Sequence, residues 1–237
     1  MPTSKNKPGK KGLKIVIKIG RYVFSSSLDS KTLSAYAGFL RTLRREGHRV
    51  VVVTGGGDEA RKYISVARGV GGSEYTCDTL GIEVSRLNSR LLITSLGEDA
   101  YPAIPVSLEE LRKAFESGKI IVMGGLQPGQ STNAVAALAA EAVEADLLLN
   151  TTNIDGVYTA NPKEDPNAKK LDKIKTSDFL KLVIDDKLSA GGYELFDPLA
   201  IKIVERSKIP TRIIDGRKIE NIERAVKGEP IGTLVES

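Results

Sequence analysis

RVVVVTGGGDEA, residues 49–60, decides the fold. Four consecutive valines leave no apolar–polar alternation, so both faces of this strand must be buried, as in a parallel sheet covered on both sides. Gly55, Gly56 and Gly57 end the strand, and Ala60, Tyr63, Ile64 and Ala67 then recur at helical spacing. The same alternation continues on either side. Leu13–Gly20 (LKIVIKIG) reads as a strand, and Leu33, Tyr36, Ala37, Leu40 and Leu43 as one face of a helix that stops near Gly47. Downstream, Asp78–Leu96 reads as helix and Ala103–Val106 as a short strand, and Ser107 with Glu110 forms a capping box for the next helix. Lys119–Met123 is a strand, the alanine-rich Ser131–Glu144 a helix, and Asp146–Asn150 and Thr211–Asp215 two further strands. Buried strands alternating with helices predict an α/β fold, a three-layer sandwich whose mainly parallel central sheet carries helices on both faces.

The chain has 237 residues with a net charge of +5, but that charge is local. Lys5, Lys7, Lys10 and Lys11 lie in residues 1–12, which hold no acid, so residues 13–237 are close to neutral. The body therefore lacks the basic surface of a nucleic-acid binder, and residues 1–12 have the Lys/Gly/Pro composition of a disordered tail. Residues 13–237 read as a single domain, with a change of character near residue 150 that divides it into two lobes. No apolar run reaches the ~18 residues of a membrane helix. Cys77 is the single cysteine and cannot form an internal disulfide, which favours a reducing, cytoplasmic setting over export. No apolar segment follows the amino-terminal lysines as in a signal peptide.

In a sheet of this kind, ligands sit beyond the carboxyl ends of the strands, and the glycines fall at those ends. Gly20 and Arg21 follow one strand, Gly55–Gly57 another, and Gly124 and Gly125 a third. Glycine lets backbone N–H groups approach an anion, and a following helix adds its positive end, so this edge is predicted to bind phosphates. Lys18 stands near the end of a central apolar strand, where an ammonium is costly unless it faces an anion. The run Gly124–Asn133 (GGLQPGQSTN) forces a turn at Pro128-Gly129 and then offers the hydroxyls of Ser131 and Thr132 at a helix start. The usual phosphate devices are missing: there is no G-x-x-x-x-G-K-[ST], no H-R-D and no D-F-G. Gly55, Gly57 and Ala60 fit G-x-G-x-x-A, but no strand ending in an acid follows, which argues against a dinucleotide fold. With one histidine, His48, and one cysteine, no protein metal cage is predicted, and Mg2+ would be carried by phosphates.

Five ordered motifs resemble the amino acid kinase superfamily and, within it, the archaeal type that phosphorylates UMP. They are K-I-G (18–20), V-T-G-G-G-D-E-A-R-K-Y (53–63), G-G-L-Q-P-G-Q-S-T (124–132), T-N-I-D-G-V-Y (152–158) and G-G-Y-E-L-F-D-P-L-A-I-K-I-V-E-R-S (191–207). The likeness runs from about residue 13 to the terminal G-T-L-V-E-S. It implies in-line, Mg2+-assisted transfer of the γ-phosphoryl group of ATP to UMP in pyrimidine biosynthesis. The first lobe, residues 13–150, would mainly hold UMP, and residues 151–237 mainly ATP. By the same resemblance Lys18 and Arg61 are catalytic cations. ATP would be held by Lys18, Ile19, Gly20, Arg21, Tyr22, Gly57, Arg61, Thr152, Tyr158 and Asn161. UMP would be held by Gly56, Asp78, Leu126, Gln127, Pro128, Gly129, Gln130, Ser131 and Thr132. The family's members are typically homohexamers built from dimers.

The chain departs from the family pattern at three places. Relatives often have Gly-Gly or Gly-Ser where this chain has Arg21-Tyr22, an aspartate where Asn133 stands, and Asp-Pro where it has Asn161-Pro162. Two alternatives stand beside the UMP reading: a sibling kinase acting on another small acid or phosphate, and a nucleotide-binding homologue without chemistry. Residues 190–197 (AGGYELFD) are expected to form a loop near the nucleotide.

Overall fold

The structure is a computed structural model that describes residues 12–162, 164–184 and 195–237. The tail lysines and residues 190–194 of the expected nucleotide loop lie outside the described residues. In chain order the elements begin β1 (Lys14–Ile19), α1 (Ser30–Arg45), β2 (Arg49–Thr54), α2 (Gly57–Gly69) and α3 (Glu74–Leu96). They continue α4 (Leu108–Phe115), β3 (Ile121–Met123), α5 (Thr132–Ala142), β4 (Leu147–Thr152), β5 (Val157–Tyr158), β6 (Lys170–Leu171) and β7 (Lys173–Lys175). Last come α6 (Thr176–Ile184), α7 (Pro198–Ser207), β8 (Thr211–Asp215), α8 (Ile219–Val226) and β9 (Thr233–Glu236).

Seven strands form one sheet in the order β3-β2-β1-β4-β8-β9-β7, and β5 pairs with β6 in a separate antiparallel ribbon. The first five strands of that order run parallel, while β9 is antiparallel to β8. Side chains of a strand alternate between faces, and the two sheet faces accordingly build two cores. Ile15, Ile17, Ile19, Val50 and Val52 pack on α1, α3 and α8, through residues such as Leu40, Leu92 and Ile222. Val16, Val51 and Val53 pack on the opposite face against α4, α5, α6 and α7. On α5, Ala134, Ala136, Ala137, Ala139 and Ala140 are all buried, because a helix wedged between a sheet and its neighbours has room for little more than methyl groups. Lys18 is two residues after Val16, so it lies on the α5 face of β1.

The chain leaves β1 toward β2 on one side and returns as β4 on the other. That reversal of strand order opens a crevice at the carboxyl ends of β1 and β4, the usual ligand position of an open α/β sheet.

Two expectations need correction. Ala103–Val106 is not a strand; pairing there is reduced to a bridge between Ala100 and Ile120. Pro102 just before this stretch and Pro105 within it supply no N–H groups to a ladder. The helix expected from Asp78 begins at Glu74 instead, because the Ser73 hydroxyl accepts from Thr76 N and caps it. Ser107 caps α4, accepting from Glu110 N at 3.1 Å, and the Glu110 carboxylate reaches back one residue beyond the cap, to Val106 N at 2.9 Å.

Candidate active site

The glycine-bearing exits of β1, β2 and β3 open on a cavity of about 320 Å³ at the carboxyl edge of the sheet. It brings together Lys18, Gly20, Arg21 and Tyr22 from the end of β1, Gly56, Gly57 and Arg61 from α2, and Asp78 from α3. Gln130, Ser131 and Thr132 enter from the start of α5, and Thr152 from the end of β4. Lys18 is half-buried, whereas Arg21 and Arg61 are exposed at the rim. Three cations and one lining carboxylate, Asp78, give the cavity a net positive character.

Seven expected residues do not line it. Ile19 is fully buried in the core on the α1 face. Gln127, Pro128 and Gly129 form an exposed turn closed by Gln130 N donating to Gln127 O at 3.2 Å. Leu126 packs against the core, and its carbonyl accepts from Arg86. The turn is nonetheless tied to the site, because Gly129 N donates to the Asp78 carboxylate at 2.7 Å. Tyr158 donates to Asp155 at 2.8 Å, and this bond, with partial burial, raises the phenol above its ordinary range. Asn161 is buried, and its carbonyl accepts from Glu164 N and Asp165 N.

Two helix starts converge on the cavity. At α5 the Ser131 hydroxyl accepts from Asn133 N and Ala134 N at 3.1 and 3.0 Å, and donates to the Asp197 carboxylate. Ser131 is thus saturated by capping, and the Thr132 hydroxyl, which faces Gly55, is the one directed into the cleft. Asp197 in turn caps α7 through Ala200 N, so one carboxylate ties two helix starts together. At α2 the cap is Gly56, which has no side chain to occupy the first amides. Gly57 follows with φ of 68°, and a Cβ there would lie 2.0 Å from Phe24 O, so no other residue fits this turn.

A layer of α3 beneath the glycine turns escaped the sequence reading. Asn88 Nδ2 donates to Gly55 O at 2.8 Å, the Ser85 hydroxyl accepts from Gly125 N at 2.7 Å, and Arg86 donates to the Gly125 and Leu126 carbonyls. Thr54 is hydrogen-bonded to Ser89 at 2.7 Å in the same layer. The available signal was Gly81, Ser85 and Ser89, small residues spaced at i, i+4 on the sheet-facing side of a long helix.

Among the described residues, Gln130 Oε1, Asn133 Oδ1 and Asn150 Oδ1 are buried acceptors without hydrogen-bond partners, and Gln130 and Asn133 line the cavity. Buried polar atoms are nearly always paired, so these acceptors fit a ligand that brings its own donors. Asn133 and Asn150 both donate their amides to Leu195 O, at 3.4 and 2.7 Å, which seats the segment before α7 beside the cleft. Among the described residues no three His, Cys, Asp or Glu side chains are grouped to hold a metal ion.

Residues 14–215 match the model of the Amino acid kinase family. The uridylate kinase of Methanococcoides burtonii is 47% identical over 219 residues, covering 92% of this chain and 93% of that protein. That of Hyperthermus butylicus is 48% identical over 222 residues, covering 93% and 97%. The crystal structure of uridylate kinase from Archaeoglobus fulgidus, 41% identical, superposes with a TM-score of 0.85 over 94% of this chain and all of that one. UMP kinase from Bacillus anthracis, at 21% identity and a TM-score of 0.81, shares the fold.

Proposed function

This chain belongs to the amino acid kinase family, and from that premise we propose that it transfers the γ-phosphoryl group of ATP to UMP, giving ADP and UDP for pyrimidine nucleotide synthesis. The observation that carries this reading is the single cleft in which Lys18, Arg21 and Arg61 meet the starts of α2 and α5. Phosphoryl transfer asks little covalent chemistry of a protein; it needs two polyanions held in line and their charge offset. The acceptor phosphate is already ionised at neutral pH, so no general base is required.

In this reading Lys18 stabilises charge on the transferring group, with Arg61 as the second cation. The UMP phosphate rests on the α5 start at Thr132 and against Gly56, and Asp78 with the 126–132 turn holds the nucleoside. ATP phosphates lie along Gly20–Tyr22 and Gly57, with Thr152, Tyr158 and Asn161 on the adenosine side, so residues 13–150 serve mainly UMP and 151–237 mainly ATP. Mg2+ enters as part of the ATP substrate, held through its phosphates, which suits a cleft whose lining offers one carboxylate. Exposed Tyr63 and Val66 on α2, Val70 just after it and Tyr75 on α3 support self-association, for which we propose a homohexamer. A cytoplasmic setting fits the lone buried thiol of Cys77.

The test is ADP formation with UMP, CMP, acetylglutamate, aspartate, carbamate and isopentenyl phosphate as acceptors. UMP is expected to give the highest kcat/KM. No turnover on UMP beside turnover on another acceptor overturns the reading, and calorimetric binding of ATP and UMP without UDP formation would assign the chain to a non-catalytic homologue.

A further inference from the structure

Beneath the floor of the cleft, one series of hydrogen bonds joins four separate parts of the chain. The Thr151 hydroxyl donates to the Lys18 carbonyl at 2.8 Å. A hydroxyl has one proton to give, so Thr151 must accept from Tyr22, whose oxygen is 2.6 Å away. Tyr22, its proton given, can only accept from Tyr36, which donates to it at 3.1 Å. The Tyr36 hydroxyl also donates to the Gly216 carbonyl just beyond β8, so its one proton is shared between that carbonyl and Tyr22. The series is therefore closed by a carbonyl at each end, Lys18 and Gly216, with Tyr36 as the shared donor between Gly216 and Tyr22. It links α1, the turn after β1, and the carboxyl ends of β4 and β8.

Packing around the series is equally specific. A Cβ on Gly216 would stand 2.0 Å from the Tyr22 hydroxyl and 2.5 Å from Thr151 Cβ, and one on Gly20 would stand 2.7 Å from Thr151 O. The Tyr22 and Tyr36 rings lie tilted with centroids 6.1 Å apart. Tyr36 is buried on α1, away from the cleft, while Tyr22 keeps one side on it. The turn held this way carries Arg21, and it is closed by Phe24 N donating to Arg21 O at 3.0 Å. Phe24 O in turn accepts from Asp58 N in the first turn of α2, so the same brace reaches the second helix start.

We propose that Tyr36 is a positioning residue for phosphoryl transfer, acting through Tyr22 and Thr151 to fix the Lys18 peptide and the turn that presents Arg21. This rests on the kinase reading above. An error of about 1 Å in a catalytic cation can cost on the order of 10²-fold in rate, and a glycine-containing turn followed by an exposed arginine has no rigidity of its own. The aromatic brace supplies that rigidity from behind the sheet, where no contact with substrate would reveal it.

Tyr36→Phe removes the hydroxyl and keeps the ring. Its kcat is expected to fall about 5- to 50-fold, with KM for UMP within about twofold and an unchanged far-ultraviolet circular dichroism spectrum. Thr151→Val, which breaks the series further along, should show the same kcat loss, and Thr151→Ser, which keeps the hydroxyl, should recover most of it. The double variant Tyr36→Phe with Thr151→Val should lose little more than either alone, because both cut one series. Tyr36→Phe with wild-type kcat overturns the inference even if its melting temperature drops, since that is what a packing role alone predicts. If Tyr36→Phe does not fold, the Thr151→Val and Thr151→Ser pair decides in the same way: equal kcat values for the two overturn it. A wild-type protein inert toward UMP overturns the kinase reading itself, a result distinct from an active wild type with an unaffected Tyr36→Phe.

Discussion

At residue 18 an ammonium sits on a strand whose neighbours Ile17 and Ile19 are fully buried. Carrying a charge there is unfavourable for folding alone, and its side chain opens on the same cleft as Thr132. Lys18→Ala should leave the melting temperature within a few degrees and reduce kcat by roughly 10²- to 10³-fold, as measured by coupled ADP release. Near wild-type kcat would reduce Lys18 to a structural lysine. Lys18 was legible because a charge in an apolar run is an anomaly. Tyr36 was not, because its place in the helical stripe of Leu33, Ala37 and Leu40 makes it look like one more core side chain. Its hydroxyl acquires a role only through Tyr22, Thr151 and Gly216, which are 14 to 180 residues away.

Among the elements, α5 joins sequence and chemistry most closely. Its alanines fit it into the interior, and Ser131 places its start at the cleft while sharing the Asp197 carboxylate with α7. Ser131→Ala removes an N-cap and should lower unfolding free energy by about 1–2 kcal/mol, read from urea denaturation. The same variant should raise KM for UMP more than KM for ATP, because the loosened end is the one assigned to the acceptor phosphate; equal changes in both would detach α5 from the acceptor. Elements with long apolar runs were recovered from sequence, and β2 and β8 have the expected bounds. Besides the helices α6, α7 and α8, the elements not anticipated were β6, β7 and β9, whose short runs Lys170–Leu171, Lys173–Lys175 and Thr233–Glu236 mix charged and apolar residues. Pairing partners make these into strands; their own side chains do not. The reverse error, at Ala103–Val106, arose from reading apolar content without weighing Pro102 before the stretch and Pro105 within it.

For the whole molecule, the stability window with pH follows from groups at the same sheet edge. Asp215, at the end of β8, is held below the usual carboxylate range by its Arg217 hydrogen bonds. A lowered folded value means the unfolded chain binds more protons near pH 4, so this stabilisation is complete above about pH 4 and is lost as pH falls through that range. The phenols act at the other limit. Burial pushes Tyr22 up to about 12 and raises Tyr36 further, with Asp215 adding to both and Glu220 to Tyr36. Raised folded values favour the protonated, folded state, so stability is unaffected below about pH 10 and declines from there toward about pH 12. Asp215→Asn should flatten the acid limb of a melting-temperature profile, and Tyr22→Phe the alkaline limb; unchanged limbs would remove these groups as their cause. The sequence alone determined the layered α/β architecture, the glycine-bearing sheet edge and its central lysine, because burial period, glycine position and misplaced charge are local properties that survive in one dimension. Only the tertiary structure decided which groups meet: that Asp78 holds the Gly129 turn, that α3 carries the glycine loops from below, and that a tyrosine on α1 braces the end of β1. Those contacts depend on strand order and helix placement, and a hydrogen bond between distant residues leaves no periodic trace in either partner's sequence.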